Sequence, residues 1–133
     1  MFARLVVAFV ALAAAGTTFA QQSVPAAPPA IKRTLLQKVE VPGSTYEANL
    51  AVYEITAGMN GGRHTHPGPE TGALIEGEMV LMIEGQPDRT VKAGDSYQIP
   101  VGIVHDVRAV GGPAKGVAIY IVPKGMLLAT PAK

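Results

Sequence analysis

Residues 58–77 read GMNGGRHTHPGPETGALIEG, and the reading of this stretch decides the fold. It holds two of the three histidines of a 133-residue chain, His64 and His66, two positions apart. Side chains alternate across a β-strand, so histidines at that spacing point the same way. Pro67 pushes His66 toward extended backbone, which suits a strand end. Pro67, Gly68 and Pro69 then make a stiff turn in which Gly68 is free to take a positive φ. Glu70 leaves that turn facing back toward the imidazoles. Two imidazoles and a carboxylate suit a divalent first-row metal.

Residues 94–105, GDSYQIPVGIVH, bring in the third histidine, His105. A glycine turn at Gly94 starts a strand, and Pro100, Val101 and Gly102 make the next turn. All three histidines therefore stand beside turn-forming Gly and Pro. Outward from these stretches the chain reads as short strands between turn signals, over 34–41, 47–56, 71–75, 79–83, 90–92, 96–99, 105–110 and 116–122. Strands recurring at this rate predict an all-β sandwich or barrel. Outside the first twenty residues no segment shows a strong helical period.

The two stretches resemble the paired motifs of the cupins. Gly58, His64, His66, Glu70 and Gly77 stand at the fixed positions of the first motif. Gly94, Pro100, Gly102 and His105 stand at those of the second. The pattern departs at Ala109, where the family usually has asparagine. From about Arg33 to Pro131 the chain is similar to small single-domain bacterial cupins of the quercetin-dioxygenase-like kind. The resemblance implies an antiparallel jelly-roll β-barrel. It also implies one divalent transition metal (Fe, Mn, Ni, Cu or Zn) held by His64, His66, Glu70 and His105. Four protein ligands on an ion that accepts six leave two positions for water, dioxygen or a bidentate substrate. The implied activity is that of a metal-dependent enzyme, dioxygenase-like, on a small oxygen-rich molecule. A redox-neutral lyase, decarboxylase or isomerase would use the same ion. A non-catalytic module that binds or senses a small ligand is the alternative from another class.

The first twenty residues, MFARLVVAFVALAAAGTTFA, have the layout of a secretory signal peptide. Arg4 is the charged region, 5–16 the apolar run, and Thr18, Phe19 and Ala20 a small-x-small cleavage site. The apolar run is short for a membrane anchor, which needs about 20 residues. The expected product is exported, periplasmic or secreted, and no longer attached to a membrane. Residues 21–31 are rich in Pro and Ala and read as a linker; residues 32–133 form the cupin domain. The chain has no cysteine, which excludes disulfides and a lipidated thiol. Removing Arg4 leaves ten Lys and Arg against ten Asp and Glu, a neutral balance that argues against nucleic acid as a partner.

Two strands are apolar on both faces. Met79, Leu81 and Ile83 alternate with Val80 and Met82; Val117, Ile119 and Ile121 alternate with Ala118, Tyr120 and Val122. Such strands are usually covered on both sides. A second subunit is the expected cover, giving a homodimer; the strand around Leu35 and Leu36 is the alternative. Tyr97 alternates with Ile99 toward the barrel, which makes it a candidate pocket acid/base as well as a candidate core tyrosine. Tyr53 and Tyr120 carry the same ambiguity. Gln98, on the opposite face, is expected in solvent. Arg63 and Arg108 adjoin ligands in sequence but alternate away from them. Met59, Met79, Met82 and Met126 read as packing rather than as soft ligands.

Overall fold

A computed structural model describes residues 29–133. The signal peptide and most of the linker expected from the sequence lie outside the described residues. Among these residues there is no helix, and ten strands run in two antiparallel sheets. In chain order they are β1 (Ile31–Glu40), β2 (Tyr46–Ile55), β3 (His64–Thr65), β4 (Glu70–Glu76), β5 (Glu78–Ile83), β6 (Arg89–Lys92), β7 (Ser96–Ile99), β8 (His105–Ala109), β9 (Ala114–Pro123) and β10 (Thr130–Pro131). The larger sheet has the order β1-β2-β9-β4-β7, and the facing sheet β10-β3-β8-β5-β6. This is a double-stranded β-helix, the jelly-roll barrel anticipated above.

All eight strand segments read from the sequence are present, and several show the period-two alternation that buries one face, though β1 is exposed over residues 34–40. The clearest case is β9, where Ala114, Gly116, Ala118, Tyr120 and Val122 are buried and Ile119 and Ile121 are exposed. Two short strands had no such signal: β3 and β10 are two residues each and pair with each other. The core lies between the sheets. Ala51, Tyr53, Ile55 and Leu74 from one meet Met79, Leu81, Val91 and Val107 from the other. Met79 is fully buried, whereas Met59 and Met126 are exposed.

The turns hold the two motif stretches together. The Gly102 backbone has φ +71°, a left-handed value that favours glycine, and its N–H donates to the His66 carbonyl at 3.0 Å. Gly68 departs from expectation, since it is not among the glycines with positive φ. Its requirement is steric instead: a Cβ there would run into the backbone of Ile121 and Val122. That close approach accompanies the bond from the Ile121 N–H to the Pro69 carbonyl at 3.1 Å, which fixes the turn against β9.

β1 pairs edge-on with β2 and does not lie over the outer face of β5 or β9. Leu35 and Leu36 are half exposed there, beside an irregularity in the β1–β2 register.

Candidate metal centre

Register brings the predicted ligands to one end of the barrel from both sheets. His64 on β3 is directly opposite His105 on β8. Glu70 opens β4 between Ile99 on β7 and Tyr120 on β9. His66 follows β3 and projects with His64, as the two-residue spacing requires. Ligand atoms of His64, His66 and His105 lie within 4.8 Å of one another, and all three side chains are buried. The Glu70 carboxylate joins them, with Oε2 at 2.8 Å from His66 Nε2 and 3.9 Å from His105 Nε2.

The backbone sets the tautomer of each imidazole. His64 Nδ1 contacts the Gly62 carbonyl at 2.7 Å, His66 Nδ1 the Leu128 carbonyl at 2.5 Å, and His105 Nδ1 the Ile103 carbonyl at 3.0 Å. A carbonyl can only accept, so Nδ1 carries the proton in all three rings and a neutral ring then has a bare lone pair on Nε2. Three such lone pairs converge on one space. His66 Nε2 is buried without a hydrogen bond, since its approach to Glu70 falls outside hydrogen-bonding geometry. Two acceptors at 2.8 Å need a proton or a cation between them. The donor set, soft-to-intermediate nitrogen plus one carboxylate oxygen, fits a divalent transition metal, and carbonyl-anchored imidazoles are the usual support for one.

The electrostatics keep His64, His105 and Glu70 in ligand form. Burial is the main cause that pulls His64 down to about 4, with His105, Arg33 and His66 adding to it against the Gly62 carbonyl. Burial likewise holds His105 below its ordinary value. For Glu70, burial alone would raise the carboxyl, but contact with His66 and then the Tyr97 hydroxyl and His105 hold it below the usual range.

The centre opens into a narrow cavity of about 20 Å³ lined by Arg33, Tyr53, Tyr97, Tyr120 and apolar side chains around the ligands. Tyr97 lies here, but its hydroxyl donates to Glu70 Oε1 at 2.9 Å, which makes it a support for that carboxylate. Burial, followed by the charge of Glu70, raises the Tyr97 phenol far above its ordinary value, so it stays a donor. Burial pushes Tyr53 up to about 12, and its buried hydroxyl has no hydrogen-bond partner. Each of these two phenols lies across a glycine in register with it, Tyr97 over Gly72 and Tyr53 over Gly116. Arg63 and Arg108 point elsewhere: Arg63 approaches Glu84 at 3.5 Å, and Arg108 is exposed. Gln98 is exposed as expected.

Two contributors were missed from the sequence. Arg33, half buried on β1, donates from Nη2 to His64 Nε2 at 3.1 Å and from Nε to the Tyr120 hydroxyl at 3.3 Å. A signal existed: Ile31, Arg33 and Leu35 share one face of a strand, but the strand was read as starting after Arg33. The Leu128 carbonyl has no sequence signature, because it acts through the backbone.

A double-stranded β-helix with three inward histidines on neighbouring turns defines a class of metal-binding barrel. The sequence matches the cupin domain over residues 51–120, more than half of the chain, and the chain belongs to that family. It is 51% identical over 45 residues to the HTH-type transcriptional regulator PuuR of Escherichia coli K12, a match covering 34% of this chain and 24% of the regulator. The chain thus matches about a quarter of the length of its curated relatives. Among solved structures it is similar to the DMSP lyase DddQ of Ruegeria pomeroyi, with TM-score 0.65 and 22% identity over 77% of this chain and 51% of that one. Oxalate oxidase in complex with glycolate superposes with TM-score 0.62 and 24% identity over 86% of this chain and 60% of that one. At these identities the structural likeness establishes the fold.

Proposed function

We propose that this cupin is an exported, metal-dependent enzyme that acts on a small oxygen-rich molecule by dioxygenase-like chemistry. The carrying observation is the convergence of three backbone-anchored Nε2 lone pairs with the Glu70 carboxylate in a buried cavity. His64, His66, Glu70 and His105 would hold one divalent ion, which would supply Lewis-acid charge stabilisation to a bound enolate or carboxylate. Tyr97 would keep Glu70 aimed through its 2.9 Å bond. The raised phenols would serve as hydrogen-bond donors rather than as bases. The room beside the ligands is about 20 Å³, little more than the space one water takes, so only a small molecule or the small end of one would reach the ion.

Export rests on the layout of residues 1–20. A homodimer is supported by the outer face of the larger sheet, where Val52 is opposite Val117, Leu50 opposite Ile119, and Ala48 opposite Ile121. Ile119 and Ile121 are each 38% exposed in the single chain, and a second copy would cover them.

A binding or sensing role is the second reading, favoured by the stretch shared with a transcriptional regulator. The deciding experiment is metal analysis of protein from its native compartment, followed by a screen of small oxygen-rich compounds with oxygen uptake recorded. One ion per chain and substrate-dependent oxygen uptake are expected. Turnover without oxygen uptake would move the reading to a lyase, decarboxylase or isomerase, and saturable binding without turnover to a sensor. Protein without a stoichiometric ion would overturn the metal reading.

A further inference from the structure

The alternation of β1 sends its two neighbouring cations to opposite faces. Lys32 points outward and meets Glu54 at 3.7 Å. Arg33 points inward, and among the described residues no carboxylate pairs with it; its partners are His64 Nε2 and the Tyr120 hydroxyl. A half-buried guanidinium without an acid is costly to keep unless something anionic meets it. Arg33 is also the sole cation among the residues that line the cavity, and Glu70 the sole acid.

The charges of Arg33 and Glu70 offset each other. With a divalent ion the three histidines add nothing, because each is neutral, so the cavity carries two net positive charges. The ion and Arg33 also compete for one lone pair. The Arg33 Nη2 donor uses the His64 Nε2 that the ion needs, so occupation by metal releases that donor. The released donor stays within the cavity, near the buried Tyr53 hydroxyl that has no partner.

We infer that Arg33 is a specificity-determining residue that makes the loaded cavity select a small carboxylate, held by the ion and the guanidinium together. This rests on the metal reading above and narrows its substrate to anionic acids of a few heavy atoms. It also orders the events, since the arginine becomes available only after the ion has entered. A guanidinium is suited to the task because its planar fork of donors matches a carboxylate.

Co(II) reports on this directly, because its visible spectrum follows coordination whether or not any reaction occurs. Lactate and lactamide serve as probes of matched shape, one charged and one neutral. The wild type is expected to bind one Co(II) and to respond to lactate at about 10- to 100-fold lower concentration than to lactamide, the range set by a charge-assisted hydrogen bond. Arg33→Met should bind Co(II) at least as tightly and lose about tenfold or more of the lactate preference. Arg33→Lys, which keeps the charge but not the fork, should recover part of it. If Arg33 only buttressed His64, Arg33→Met would weaken Co(II) binding and leave the preference intact, and that result would overturn the inference. Equal responses of the wild type to the two probes would overturn it even if Arg33→Met failed to fold. A wild type that binds no Co(II) would bring down the metal reading and the inference with it, an outcome distinct from metal binding without anion preference.

Discussion

The two faces of the larger sheet differ in what stands out on each: polar groups among the apolar core residues of the inner face, and exposed apolar groups on the outer one. On β2, β4 and β9 the inner face carries Tyr53, Glu70 and Tyr120, while the outer face carries Leu50, Val52, Val117 and Ile119. The inner polar groups are nearly all spoken for: Tyr97 donates to Glu70, Arg33 to Tyr120, and each imidazole Nδ1 to a carbonyl. What remains buried without a hydrogen bond there is the His66 Nε2 lone pair and the Tyr53 hydroxyl, while the His64 Nε2 lone pair accepts from Arg33. Polar groups kept inside at the cost of desolvation point to chemistry. Apolar groups left outside point to a partner surface. The difference separates a face retained for reaction from a face retained for assembly.

The strongest way to break the inner face is to remove a ligand. His66→Ala should lower metal affinity by at least about 100-fold, since even supporting residues of metal sites are worth 10- to 100-fold. In the native protein, EDTA should remove about 2.7 kcal/mol of stability when free metal had stood at a hundred times its dissociation constant. The variant's melting curve should not respond to EDTA, and calorimetry with and without chelator checks both. The outer face should yield a smaller effect on a different quantity. Ile119→Lys, which would bury a charge against a second copy, should weaken a dimer by about 3 kcal/mol and halve the mass seen by light scattering at micromolar concentration. A mass equal to one chain in the wild type would sink the assembly reading and leave the metal centre untouched. The smallest effects should sharpen the inner face itself. Tyr97→Phe should cost about 1–3 kcal/mol, because it deprives a buried carboxylate of a donor. Tyr53→Phe should stay within about 1 kcal/mol of wild type in urea melts, because it deletes a hydroxyl with no partner.

Most strands were legible because β-sheets write their burial every second residue; the proposed ligand set of His64, His66, Glu70 and His105 came from the resemblance to the cupin motifs, and the fold brings those four side chains together. β10 was not legible, since two residues cannot show a period, and β3 was read only through the His64 and His66 spacing and the proline that follows. Gly68 was read for its conformational freedom, but its actual constraint is the nearby backbone of β9, a long-range contact that no local pattern carries. Arg33 was lost to a strand boundary set a few residues late. The Leu128 carbonyl that orients His66 lies 62 residues away in sequence and could have been supplied by any side-chain type. Pocket shape was illegible for the same reason: it is assembled from β1, β2, β3, β4, β5, β7, β8 and β9 together.

Gly72 and Gly116 have a meaning for how this protein can vary. Each is the empty half of a cross-strand pair whose other half is a tyrosine, and a methyl group at either would collide with a phenol. Neither position can be altered alone. A lineage that put alanine at 72 would have to give up or swing out Tyr97, and with it the hand that steadies Glu70. A lineage that first shortened Tyr97 would remove one obstacle at position 72 and leave the other, the Val117 backbone carbonyl. The two glycines, silent in every list of chemical groups, therefore set the order in which neighbouring side chains can be exchanged.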